Sequence, residues 1–63
     1  MNKDKETQFG TLKDITITQY YAGVLSKDVM IRIITRIYKW KNHDKETTLK
    51  EINRIIRNKP KDV

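Results

Sequence analysis

Side chains able to do acid–base or nucleophilic chemistry are few in this chain, and they are poorly placed for it. The single histidine, His43, falls in the polar stretch Asn42-His43-Asp44, where a solvated ring is the ordinary outcome and nothing apolar would tune a general base. The single serine, Ser26, stands just before an apolar-periodic segment, the position of a helix cap. The carboxylate pairs Asp4/Glu6 and Asp44/Glu46 lie in polar stretches with no apolar surroundings to raise a pKa. With no Cys there is no thiol nucleophile, disulfide or Cys-based zinc site. No glycine-rich nucleotide loop, P-loop, metalloprotease helix or EF-hand loop occurs. The sequence therefore implies no enzyme, no cofactor, no metal and no small-molecule substrate.

The cations are better organised. Arg32, Arg36 and Lys39 recur at i, i+4 and i+7, and Lys50, Arg54 and Arg57 repeat that spacing, so each set makes one row on a helix. The whole chain carries 14 Lys and Arg against 8 Asp and Glu, a net charge of +6, with a pI near 9.8. Residues 26–41 hold Lys27, Arg32, Arg36, Lys39 and Lys41 against Asp28 alone, and residues 50–61 hold Lys50, Arg54, Arg57, Lys59 and Lys61 against Glu51 alone. One such row would be no more than a solvated face that keeps a small protein dissolved. Two rows with most of the net charge point to a polyanion, and double-stranded DNA is the partner expected.

These rows need elements to carry them. Sixty-three residues with a mean hydropathy of −0.78 allow one small domain with a marginal core. Residues 1–10 read as a flexible polar lead-in, 11–59 as a single small strand-helix-helix domain, and 60–63 as a flexible tail. Ile15 and Ile17 alternate with Thr16 and Thr18, four β-branched residues that predict a short strand; a frayed helix capped by Thr11 is the alternative. Ser26 opens a helix that runs to about Lys41. Thr48 and Glu51 have the spacing of a capping box for a second helix, unless Asp44 caps it a turn earlier; Asn58 and Pro60 mark its end. In the first helix Val29, Ile33, Ile37 and Trp40, with their apolar neighbours, spread over an arc of roughly 200°, wider than one packing partner needs. The second offers Ile52 and Ile56 on an arc of roughly 120°. The excess width predicts cover from a second copy, with a central helix in a well-packed monomer as the alternative. The fold class expected is mainly α with a short N-terminal strand, an α+β mini-domain of two amphipathic helices in an intertwined homodimer.

The order strand, helix, helix, with Ser26 and Thr48 at the caps of LSKDVMIRI and TTLKEINRIIRN, resembles the ribbon-helix-helix repressors of phages and plasmids. The likeness covers the two-helix portion, about half the chain; Asn42–Thr47 stands where that family has a tight glycine turn, and Gln19–Leu25 is an extra spacer. The resemblance implies paired strands in the major groove, with Lys13, Thr16 and Thr18 as the ribbon side chains facing DNA. A second stretch, TLKDI…YYAGVLSKDV, resembles the opening of lactose-repressor-type helix-turn-helix domains, with Gly23 at the turn; Gln19 replaces the small residue expected four before it, and Arg32 an apolar one. That likeness would place base contacts at Lys27 and Asp28. Together these features predict a cytoplasmic, dimeric DNA-binding repressor or accessory factor. The alternative is a protein-interaction module of inhibitor or adaptor type, docking its amphipathic helix on a partner with Tyr20, Tyr21, Tyr38 and Trp40 as anchors. Membrane attachment is not expected, since it would leave the domain without a core.

Overall fold

The computed structural model describes residues 2–60, with side chains from Asp4 onward. Three helices follow one another: α1 (Asn2–Tyr21), α2 (Lys27–Trp40) and α3 (Lys45–Arg57). Among the described residues there is no strand, so the mixed class is corrected to all-α. Residues 11–18 lie in the middle of α1, and residues 2–10, expected as a flexible lead-in, form its first half. The C-terminal tail lies outside the described residues from Lys61 on.

Burial explains why Ile15-Thr16-Ile17-Thr18 is helical. β-Branched residues lose at most about 0.7 kcal/mol each in a helix relative to Ala. Burying one large side chain returns about 1.5–3 kcal/mol. As a helix, α1 brings Phe9, Thr16, Ile17, Tyr20 and Tyr21 to one side, where the apolar members join the core. A five-residue strand would have had no sheet to join. Thr16 is buried and its hydroxyl donates to the Leu12 carbonyl at 2.8 Å, back-bonding within its own helix. It is therefore not a ribbon side chain, and the strand pairing that the repressor resemblance required is gone with it.

The helix ends are specified locally. Gly23, at φ +83°, closes α1: its amide donates to the Tyr20 carbonyl at 3.1 Å and that of Val24 to Gln19 at 2.9 Å, the pair of bonds that ends a helix on a left-handed residue. Asn42, at φ 66°, does the same for α2, with Asn42 N–H to Lys39 and His43 N–H to Tyr38, both at 2.9 Å. Ser26 caps α2 by accepting from the Val29 amide, and Asp44 caps α3 by accepting from Thr47. The Thr48–Glu51 capping box is not used: Thr48 is already inside α3 and its hydroxyl donates to the Asp44 carbonyl.

The core consists of Tyr20, Met30, Ile34, Ile37, Tyr38, Ile52 and Ile55. α2 lies between the other two helices and contributes most of these residues. The middle of its broad apolar arc is thus covered from two sides within one chain, by α1 and by α3. Ile37 and Ile52 are buried and Ile33 and Ile56 half-buried, while Val29 and Trp40, expected in the core or at a dimer contact, are 39% and 41% exposed. Tyr21 ties the ends together: its hydroxyl donates to the Ile55 carbonyl at 3.0 Å, one of the last-turn carbonyls that a helix leaves open. No described helix is long and apolar enough to cross a membrane.

Candidate nucleic-acid interface

The start of α1 meets the end of α2. Lys41 Nζ binds Glu6 Oε2 at 2.7 Å, the Phe9 and Tyr38 rings pack edge-to-face at 5.1 Å, and Lys5 Nζ lies 5.1 Å from the centre of the Trp40 ring. Helices joined at both ends in this way form an antiparallel hairpin, not the steeply crossed pair of a helix-turn-helix. Neither groove-reading geometry implied by the resemblances is therefore built here, and the basic surface has to be judged from its own placement.

Half of the twelve cations among the described residues are already engaged. Lys5, Lys13, Lys41 and Lys59 each place their ammonium over an aromatic ring, those of Trp40, Phe9, Phe9 and Tyr20 in turn. Lys41 is also bonded to Glu6, Lys50 lies 3.9 Å from Glu46, and Arg54 is bonded to Glu51. Lys13, expected at the DNA, is thus turned inward on α1. The α3 row of Lys50, Arg54 and Arg57 points away from the buried Ile52 and Ile55, with two of its three members neutralised on their own helix. The two rows do not merge into one stripe.

What remains is concentrated on α2. Arg32, Arg36 and Lys39 are exposed along its outer side, with Lys27 at its start, and among the described residues none lies within 4 Å of a carboxylate. The only acid of α2 is Asp28, in its first turn. Toward α3 this row borders a cleft of about 480 Å³ lined by Thr35, Lys39, His43, Lys45, Thr48 and Leu49. Lys45, the first residue of α3, also has no carboxylate partner among the described residues. The cleft thus combines two free ammonium groups, an imidazole and a threonine hydroxyl over an apolar floor. Thr18 is exposed on α1, and no cation row adjoins it there.

The Glu6 carboxyl is held below its ordinary value first by the Lys41 hydrogen bond and then by the Lys41 charge. Asp44 is held down by the hydrogen bonds from Thr47. Glu51 raises the Arg54 guanidinium above its ordinary value. Both carboxylates stay ionised near neutrality: Glu6 is balanced by Lys41, while Asp44 keeps its charge as the cap of α3. Tyr38, which packs against His43, is pushed up to about 12 by burial and then by the Glu51 charge.

His43 and Lys45 were missed from the sequence. His43 is exposed, yet its ring packs 4.9 Å from Tyr38 and 5.5 Å from Phe9, so it is held and not merely solvated. The signal lay in Asp44: taken as the cap, it places Lys45 on the first turn of α3. Among the described residues no cluster of His, Asp and Glu is placed to hold a metal ion. Three comparisons bear on descent. No family model, curated protein or solved structure matches this chain.

Proposed function

We propose that this protein binds double-stranded DNA without catalysis, as a small repressor or accessory factor, through the α2 outer row and the α2–α3 cleft. The observation that carries this is the sorting of charge: Glu6, Glu46 and Glu51 are paired with Lys41, Lys50 and Arg54, while Arg32, Arg36, Lys39 and Lys45 have no carboxylate partner among the described residues. Arg32 and Lys39 are seven residues apart, a rise of about 10 Å along the helix, enough to reach more than one phosphate. Phosphate contacts supply affinity and orientation but little sequence preference. Binding is accordingly expected with a Kd on the order of 10⁻⁴–10⁻⁶ M at physiological salt, weakening steeply as salt rises.

Fluorescence anisotropy with a labelled duplex at two salt concentrations tests this. Arg32→Ala, Lys39→Ala and Lys45→Ala should each lower affinity and reduce the salt slope by about one contact. Lys50→Ala and Arg54→Ala should change little, because those cations are already paired. No binding to duplex even at low salt ends the proposal and passes the chain to the protein-interaction alternative.

A further inference from the structure

The single histidine of the chain lines the basic cleft, and the fold holds it there. Asn42, at φ 66°, turns the chain out of α2, and the His43 amide donates to the Tyr38 carbonyl at 2.9 Å. The imidazole then packs 4.9 Å from the Tyr38 ring and 5.5 Å from the Phe9 ring, at interplanar angles of 40° and 37°. α1 and α2 thus fix an exposed ring that its own polar loop would leave free. Lys39 from α2 and Lys45 from α3 line the same cleft.

Charged and titratable groups reach His43 from all three helices. From α1 comes Glu6, whose carboxyl senses the His43 charge and is bonded to Lys41, while Lys13 and Lys41 lie over the Phe9 ring. α2 supplies Tyr38 and Lys39; α3 supplies Lys45 and its cap Asp44, which also senses His43. Glu46, the acid in the first turn of α3, is turned to Lys50. Glu6 and Asp44 are held down and keep their charge through the neutral range, and Tyr38 is pushed up and stays a phenol. An imidazole is the one side chain of this set that ordinarily changes charge between about pH 5 and 8. A phosphate entering among Lys39, His43 and Lys45 adds negative charge beside the ring and favours the imidazolium. By linkage, the imidazolium favours the phosphate by the same factor. We propose that His43 takes up a proton as duplex phosphate enters the cleft, so that DNA binding tightens as pH falls through the imidazole range. This rests on the DNA-binding proposal and adds to it a control by pH.

Anisotropy with a labelled duplex at about pH 5.5 and about pH 8, at fixed ionic strength, tests it. Affinity should be about tenfold higher at the lower pH, the equivalent of about one pH unit in the midpoint of the ring titration. The salt slope should steepen there by about one contact. His43→Gln and His43→Arg should each bind with one affinity at both pH values, since neither side chain titrates between them. As the ring of the only histidine, His43 also gives an unambiguous NMR titration, whose midpoint should move up by about one pH unit when duplex is added. Circular dichroism should show the same helicity at both pH values, because the lower one still lies above the ordinary carboxylate range. Equal binding at the two pH values, a rise that persists in His43→Gln, or a ring titration indifferent to duplex overturns this proposal and leaves DNA binding itself standing. No duplex binding at either pH overturns both.

Discussion

On the α1 side of α2, Ile37 and Trp40 border Leu12 and the surface is apolar; on the α3 side, Lys39 borders His43 and Lys45 and the surface is basic. Both flanks belong to one 14-residue helix. What separates them is the neighbour. α1 brings Leu12 and Ile15 to its flank and lays its own lysines on aromatic faces, while α3 brings Lys45 and keeps Glu46 and Glu51 beside Lys50 and Arg54. A helix wheel of α2 alone shows a basic stripe and an apolar arc. Which stretch of that circumference stays open, and with what charge, depends on where the other helices consume acids and cover hydrophobics.

The most damaging change should strike both flanks at once. Ile34 is fully buried under the two seams, and Ile34→Ala should cost about 2–5 kcal/mol, enough to unfold a marginal domain, as a thermal melt would show. Next comes a change confined to one flank. Lys39→Glu with Lys45→Glu should reduce duplex affinity by about tenfold or more at low salt, with the melting temperature unchanged.

Smaller effects sharpen the contrast. Ser26→Ala removes the side chain that accepts from Val29 at the start of α2 and should cost about 1 kcal/mol, loosening both flanks equally. pH acts from two directions. Tyr38 has its pKa raised from 10.0 to about 12, so the folded chain holds its proton more tightly than the unfolded one. Its contribution is complete below pH 10 and declines as pH rises toward 12; Tyr38→Phe should flatten that alkaline limb in circular dichroism melts. Glu6 and Asp44 are shifted down, so their contributions are present above the ordinary carboxylate range and are lost on acidification. Since Glu6 holds the end of α2 and Asp44 caps α3, acid should loosen both flanks together. The smallest effect is expected at Thr16, whose hydroxyl only returns a bond to Leu12. Thr16→Val should shift stability by no more than about 0.5 kcal/mol and leave duplex binding unchanged.

The parts of the fold legible in the sequence were those written locally. Ser26 as the cap of α2, its end at Lys41, the end of α3 at Asn58, and Ile37 and Ile52 in the core all follow from cap chemistry and apolar spacing. α1 was not legible, because its apolar residues do not gather into a clean stripe. Thr16 and Lys13 occupy its inner side while Leu12 and Ile15 face outward, so neither helical nor alternating spacing dominates and the β-branched run Ile15–Thr18 reads as extended. The candidate site was half legible. Arg32, Arg36 and Lys39 are visible as a row, but the place of Lys13 over Phe9, and of Lys45 and His43 at the cleft, depends on how the helices pack.

By itself, then, the sequence determined where α2 begins and ends, where α3 ends, which of their faces are apolar, and how much positive charge the chain carries. Caps and periodicity act within a few residues, and net charge is a sum that no fold can alter. Only the tertiary structure decided that residues 2–21 are one helix, that α1 and α3 bury the middle of the α2 arc while Val29 and Trp40 stay exposed, and that Lys39 stands at the α3 flank and Arg36 at the α1 flank. Each of those depends on contacts between residues far apart in the chain, such as Glu6 with Lys41 and Tyr21 with Ile55. The energy of burying a face or pairing a charge exists only once both partners are in place, and no short window of sequence contains both.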